Sequence, residues 1–312
     1  METVFVTGAA GLIGSAVCDM LLKKGFAVIG TDSRPLKIYD HNFRFVQCEI
    51  TDKDTVTAAM RDATILVHLA CSVDNDFTAI LSSADEKIAT QVDKYLYKTA
   101  VQYEYTRILM LSSHQVYMVP KTREPVRESF DLKPVTIYGK IKLDSENALK
   151  NAVKKTKNIT VIMRTTPIYT KTFLDNLRSK VQDPKDGSYF VYGYGDYGYS
   201  FCCLYNLVDF ISAVLAAEDT AKLSGEYNVT DTKPIMAKDL MEVLKTELNI
   251  SIVQSRNYSS DNIKGQFSLF GTRNLRTDYR FSDPSIACSN ISYDNTKAQR
   301  ISAFRWKLSN TK

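Results

Sequence analysis

The 312-residue sequence predicts an α/β fold: a doubly wound parallel sheet with a smaller C-terminal lobe. Three observations carry that expectation. Short β-rich apolar runs alternate with stretches long enough for helices through the first half of the chain. A turn with regularly spaced glycines joins the first run to the first helix. Beyond Arg164 the alternation loosens into Gly-, Tyr- and Asp-rich sequence. Alternating strand and helix is the pattern of parallel strands joined by right-handed crossovers.

Taken in order, the strands fall at Val4–Thr7, Phe26–Thr31, Phe43–Cys48, Thr64–Ala70, Arg107–Ser112 and Ile159–Arg164. Most are nearly continuous apolar runs, as parallel strands covered on both faces require. Helices fit the intervals Leu12–Lys24, Asp52–Met60, Ala84–Gln102 and Thr136–Lys155. Residues 183–203 read as turns and short strands, followed by a helix over Leu204–Ala217, a strand over Glu226–Thr230 and a helix over Ala237–Leu248. This divides the chain into a nucleotide-binding domain over 1–168, rejoined by about 201–222, and a substrate lobe of 169–200 and 223–312. The lobe belongs over the carboxyl edge of the sheet, where such folds bind ligands.

Composition narrows the function classes. Apolar residues make up 44% and charged residues 24%, the balance of a globular chain rather than a disordered or fibrous one. Lys plus Arg number 40 against 35 Asp plus Glu, and the surplus of +5 is scattered, so no nucleic-acid groove is expected. The best apolar run, Leu204–Ala217, falls short of the ~18 residues of a membrane span and contains Asp209. The chain opens into Val4-Phe5-Val6 with no basic leader. The six cysteines show no C-x-x-C spacing and the three histidines no ligand pattern, so reduced thiols, no metal and a cytoplasmic location are expected.

The first strand runs into Thr7-Gly8-Ala9-Ala10-Gly11-Leu12-Ile13-Gly14 and then a helix. Glycines at this spacing allow a tight turn whose backbone approaches a pyrophosphate, while the helix N-terminus offers free N–H groups and partial positive charge. Asp32 closes the second strand, where a carboxylate accepts from the ribose hydroxyls of an adenosine. Its charge repels a 2′-phosphate, favouring NAD over NADP; Arg34, two residues on, pulls the other way.

Tyr-x-x-x-Lys is a weak motif in a chain with 18 tyrosines. Three pairs occur: Tyr117/Lys121, Tyr138/Lys142 and Tyr293/Lys297. Pro120 interrupts the first, and the last is far along the chain from the nucleotide fold. Tyr138/Lys142 lies on a predicted helix of that fold, with both side chains on one face. A phenol of ordinary pKa near 10 is a poor base at neutral pH. An ammonium ~4 Å away favours the phenolate by roughly 4 kcal/mol, about three pK units at most. That suffices for a phenol to take a proton from a secondary alcohol as hydride leaves. Ser113, at the end of the fifth strand, is placed to bond the same oxygen; its ordinary alternative is to cap local backbone.

These residues, with Val67-His68-Leu69-Ala70, Ser112-Ser113-His114-Gln115-Val116-Tyr117 and Tyr138-Gly139-Lys140-Ile141-Lys142, resemble the extended short-chain dehydrogenase/reductases, the NAD-dependent epimerase/dehydratase group. Weaker likeness continues through Arg164-Thr165-Thr166-Pro167-Ile168-Tyr169, Tyr205-Asn206-Leu207-Val208-Asp209, Tyr227-Asn228-Val229 and Asp294-Asn295-Thr296-Lys297. The resemblance implies a Rossmann fold and a Ser113, Tyr138, Lys142 triad with Tyr138 the acid/base. It implies Gly8, Gly11 and Gly14 at the pyrophosphate with Leu12 and Ile13 in the same turn, and Asp32 at the adenosine ribose. Glu49 and Ile50 would lie near adenine, Leu69, Ala70 and Pro167 along the cofactor, and Lys142 on the nicotinamide ribose. It further implies a small-molecule substrate and a homodimer paired through the helices over Ala84–Gln102 and Thr136–Lys155.

Departures from the group's pattern bear on the reaction. Dehydratases of this kind carry an Asp-Glu pair where this chain has His114-Gln115, and Gln115 cannot act as a base. An Asn usual in nucleotide-sugar enzymes is replaced by Pro167, and a diphosphate-binding Arg by Tyr199. Arg276 and Arg280 are candidates to supply that charge, and His114 to touch substrate. Three readings stay open: a nucleotide-sugar epimerase or reductase, a 3β-hydroxysteroid-type dehydrogenase with an apolar pocket lined by the aromatic Tyr189–Phe201 stretch, and a non-catalytic dinucleotide sensor.

Overall fold

The computed structural model describes residues 2–71, 81–118, 124–183, 186–218, 222–250, 253–256 and 290–311. Its centre is a seven-stranded, all-parallel sheet. In chain order the first half forms β1 (Thr3–Thr7), α1 (Leu12–Lys23), β2 (Ala27–Asp32), β3 (Phe43–Gln47), α2 (Lys53–Met60) and β4 (Ile65–His68). Then come α3 (Ser83–Gln102), β5 (Arg107–Ser113), α4 (Ile137–Val153) and β6 (Ile159–Thr165). Across the sheet the order is Gly225–Val229, β6, β5, β4, β1, β2, β3. The chain moves outward from β1 to β3 and returns to β4 on β1's other side. The crevice beyond the carboxyl ends of β1 and β4 is therefore the switch point at which such sheets bind ligands.

Strand alternation sorts the core into two layers. Val4, Val6, Val67, Leu109 and Val161 face one side with Val17, Cys18 and Leu21 of α1 and Leu207 and Ile211 of the Leu204–Ala216 helix. Phe5, Leu66, Ile108, Met110 and Ile162 face the other, against Val56 and Met60 of α2, Val92 and Leu96 of α3, and Leu149 of α4. Each strand is thus apolar on both faces, which is why the runs read as continuous. Short polar side chains start the helices: Asp52 accepts from Thr55 N–H, Ser82 and Asp85 form a reciprocal box, and Thr136 accepts from Gly139 N–H.

The lobe has its own small core, in which Tyr197, Tyr199 and Phe201 pack with Leu240, Met241 and Leu244. Three two-stranded pairings frame it: Ile168–Tyr169 with Cys202–Cys203, Gly198–Tyr199 with Ile235–Met236, and Phe190–Tyr192 with Gln254–Arg256.

One boundary is corrected. The strand Gly225–Val229, expected in the lobe from residue 223 onward, is the edge strand of the large sheet beside β6. Tyr227 and Val229 bury one of its faces in the sheet's core. The C-terminal helix Thr296–Gln299 returns to cover it: Lys297 Nζ donates to Glu226 O, Asn295 Nδ2 donates to Thr230 O, and Ala298 joins the same core. Among the described residues no helix is long and apolar enough to cross a membrane.

Candidate active site

The turn after β1 is built by backbone. Gly8 has φ +70°, and a Cβ there would stand 2.9 Å from Ala70 N. At Gly14 a Cβ would fall 2.0 Å from Gly8 O, so only glycine lets α1 start so close to the turn. Gly11 N–H donates to Gly8 O, and the first intrahelical bond runs from Ser15 N–H to Gly11 O. Gly11 caps α1 with no side-chain hydrogen bond, and the first turn holds no acidic residue. The N–H groups of Leu12, Ile13 and Gly14 precede that first bond and form the open, positive end of the helix. This end fits the pyrophosphate of a dinucleotide.

Asp32 sits at the tip of β2 with both oxygens engaged. Oδ2 accepts from Ala10 N–H at 3.0 Å, and Oδ1 accepts from Arg34 N–H at 3.0 Å and Arg34 Nε at 3.3 Å. The carboxylate thereby ties the glycine turn to the loop after β2, and Arg34 is its own ion-pair partner. Glu49 is exposed and Ile50 half-buried just past β3, with Tyr95 of α3 donating to Ile50 O. Leu69 and Ala70 follow β4 directly, against Gly8. Pro167 follows β6, its carbonyl accepting from Cys202 N–H.

Ser113 ends β5, buried, and its Oγ accepts from Gln115 N–H, so it caps the turn of His114–Val116 and keeps its own proton to donate. Tyr138 and Lys142 lie one turn apart on α4. Lys142 is buried and donates from Nζ to Leu111 O at 3.1 Å, which pins α4 to β5 two residues before Ser113. The ammonium lies 5.7 Å from the centroid of the Tyr138 ring and makes no hydrogen bond to the phenol. Its effect on the phenol is therefore a through-space charge.

Burial raises the phenol's pKa, Lys142 lowers it and Cys71 raises it; the net direction is upward. Burial lowers the pKa of Lys142, while its charge interactions with Tyr138, Cys71 and Asp93 raise it; the net direction is upward, so the ammonium stays charged. The expected acidification of Tyr138 is thus outweighed by burial when the protein is alone.

Sequence reasoning missed what positions Tyr138. Thr136 Oγ accepts from Gly139 N–H and donates to Gln115 Oε1. A Cβ at Gly139 would fall 2.3 Å from Gln115 O. Gln115 is therefore the seat on which the start of α4 rests, and Gly139 is what lets it sit there. The only sequence signal is the glycine directly after Tyr138.

The sequence matches the model of the NAD dependent epimerase/dehydratase family over residues 4–230. The chain belongs to this family. Among curated relatives, the UDP-glucose 4-epimerase of Bacillus subtilis is 27% identical over 169 residues, covering 47% of this chain and 47% of that protein. The methionine adenosyltransferase 2 subunit beta of Pongo abelii is 28% identical over 148 residues, covering 47% of this chain and 42% of that protein. The chain thus spans about half the length of the curated relatives it matches. A solved UDP-glucuronic acid 4-epimerase from Bacillus cereus in complex with NAD superposes with TM-score 0.73 at 19% identity, covering 99% of this chain and 96% of that one. A short-chain dehydrogenase/reductase superfamily protein from Agrobacterium tumefaciens with bound NAD also gives 0.73, at 18% identity over 99% and 94%.

Within the epimerase/dehydratase family frame, the substrate side holds the chain's departures. His114 donates from Nδ1 to Thr165 O at 3.1 Å and meets the Tyr293 ring edge-on at 5.4 Å. Burial first, then the charge of Lys180, hold its pKa down to about 4, so the imidazole is neutral at pH 7. Burial also lowers Lys180 to about 8, which marks a cation drawn in from the lobe that sequence reasoning missed. Tyr293, set aside as remote in sequence, reaches this point and stacks on Tyr117 at 6.0 Å.

Tyr199 is spent on the lobe core, its hydroxyl donating to Lys180 O. Tyr197, Tyr199 and Phe201 of the Tyr189–Phe201 stretch fill that core, while Tyr189 and Tyr192 pack against it only partly buried. Arg276, Arg280 and Lys121 lie outside the described residues.

Proposed function

We propose that this protein binds NAD and catalyses hydride transfer at a secondary alcohol or ketone of a nucleotide sugar, as an epimerase or reductase. The observation that carries the reading is the buried, charged Lys142, tied to Leu111 O under the end of β5 with Tyr138 one turn away and Ser113 at the strand tip. In this reading Gly8, Gly11, Leu12, Ile13 and Gly14 hold the pyrophosphate, and Asp32 takes the adenosine ribose with its remaining lone pairs. The Asp32 carboxylate makes NAD the better fit than NADP. Bound here, the nicotinamide supplies the hydride acceptor and donor.

Tyr138 donates the proton to a ketone oxygen and, as phenolate, removes it from the alcohol. Ser113 donates to that same oxygen and holds it. Lys142 supplies the standing positive charge beside the phenol. Neutral His114 and Gln115 provide no acid–base pair for removing water, so dehydration is not part of the reading. The nucleotide sugar is preferred because solved neighbours of this fold hold UDP-glucuronic acid or UDP-glucose. The hydroxysteroid reading loses support because Tyr197, Tyr199 and Phe201 of the aromatic stretch are packed into the lobe core.

A thermal-shift comparison with NAD plus UDP-glucose, UDP-glucuronic acid or a 3β-hydroxysteroid tests this. NAD should raise Tm and a UDP-sugar should raise it further, since a ligand at a hundred times its Kd adds about 2.7 kcal/mol. Stabilisation by the steroid alone would reverse the substrate assignment. No shift with NAD would remove the cofactor.

A further inference from the structure

Thr7 and His68 end β1 and β4 and are register partners in the parallel sheet, directly at the switch point. Thr7 Oγ accepts from Leu69 N–H at 3.1 Å and from Ala70 N–H at 3.2 Å, and lies 2.7 Å from His68 Nδ1. His68 Nε2 lies 3.0 Å from Asp93 Oδ1 on α3. Thr7, His68 and Asp93 are 0%, 5% and 7% exposed. The Tyr97 ring meets the imidazole edge-on at 5.7 Å and fixes its plane.

Proton counting fixes the direction of this chain. A hydroxyl oxygen has two lone pairs and one proton. Both Thr7 lone pairs are taken by backbone N–H groups, so its proton goes to His68 Nδ1. Nδ1 then carries the lone pair and Nε2 the proton, which is donated to Asp93. An ionised carboxylate only accepts, so Asp93 is the end that sets the polarity. In the other tautomer Nδ1–H would claim a Thr7 lone pair and displace one of the two backbone donors.

We propose that Asp93 is a positioning residue for the dinucleotide crevice: by fixing the His68 tautomer it keeps Thr7 clamped on the Leu69–Ala70 backbone, the crevice wall that lies against Gly8. The proposal rests on the NAD reading above. The contact that transmits it is close, since a Cβ on Gly8 would stand 2.9 Å from Ala70 N. Movement of the Leu69–Ala70 backbone therefore moves the glycine turn.

The test is the Kd for NAD, by calorimetry on the full chain, of wild type, Asp93→Leu, Asp93→Asn, His68→Phe and the His68→Phe/Asp93→Leu double variant. Asp93→Leu and His68→Phe should each weaken NAD about tenfold or more, because buried donors lose their acceptors. Asp93→Asn keeps an acceptor oxygen and should stay within about threefold of wild type. The double variant should bind no more weakly than the poorer single one, as expected for two breaks in one chain.

Circular dichroism and melting establish which variants are folded. Should Asp93→Leu not fold, His68→Phe carries the same comparison. A folded Asp93→Leu or His68→Phe within about threefold of wild type, or single effects that multiply in the double variant, overturns the proposal. Wild type that binds no NAD overturns the reading beneath it instead.

Discussion

Replacing Tyr138 by Phe should lower turnover by about a hundred- to ten-thousand-fold, the range that a positioned acid/base contributes. NAD affinity should stay within about threefold, because the variant deletes one oxygen and leaves the ring in place. The pH dependence follows from the direction of the phenol's shift. Burial raises its pKa more than Lys142 lowers it, so Tyr138 is protonated at neutral pH in the free protein. In the proposed reaction that makes it the acid for ketone reduction. Alcohol oxidation needs the phenolate, so that direction should rise with pH towards the pKa of the phenol in the complex, and Tyr138→Phe should lose this limb. The positive charge of an oxidised nicotinamide, once bound, would add to that of Lys142 and favour the phenolate. Unchanged turnover in Tyr138→Phe would remove the phenol from the chemistry; a wild type that binds NAD without turning over any substrate would favour the sensor reading.

Replacing Arg164 by Met should cost roughly 3–5 kcal/mol of stability, read from urea unfolding, because it strips the buried Glu146 carboxylate of its bidentate partner and leaves it the half-exposed Lys150 at 3.8 Å as its ion pair. Arg164 Nε donates to Glu146 Oε1 at 2.9 Å and Nη2 donates to Oε2 at 2.7 Å. The two side chains are 1% and 0% exposed. Ser112 Oγ donates to the same carboxylate at 2.5 Å, and Arg164 Nη1 also donates to Tyr117 Oη and Glu128 O. The cluster joins β5, β6 and α4, so α4 loses its anchor along with the pair. Arg164→Met/Glu146→Leu should recover much of the loss, since two apolar side chains leave no stranded charge. A cost below about 1 kcal/mol for Arg164→Met would show the pair to be energetically idle.

What the sequence revealed was local. The glycine turn, the strand ends at Asp32 and Ser113 and the Tyr138/Lys142 spacing depend on neighbours in the chain, and in the structure the turn, Asp32 and Ser113 stand at the carboxyl ends of strands of one parallel sheet, with Lys142 tied to the last of these strands. What it concealed was set by partners far apart in the chain. Gln115 reads as a lost base, yet it seats α4 through Thr136 and Gly139. His68 reads as one letter of a motif, yet its Nε2 lies 3.0 Å from Asp93 on α3, 25 residues further along the chain. The Gly225–Val229 run is plainly a strand, but nothing in five residues says which sheet receives it. Tyr199 and Phe201 look like pocket walls because apolar rings in a turn-rich stretch do not disclose that they pack on each other.

The most direct test of the account is to load the protein with NAD, add UDP-glucose or UDP-glucuronic acid, and follow the ultraviolet absorbance of the reduced nicotinamide. Absorbance that appears with wild type and is absent from Tyr138→Phe is the predicted result. A UDP-sugar that stabilises the NAD-loaded protein, yet produces neither reduced nicotinamide nor any altered sugar, would contradict it.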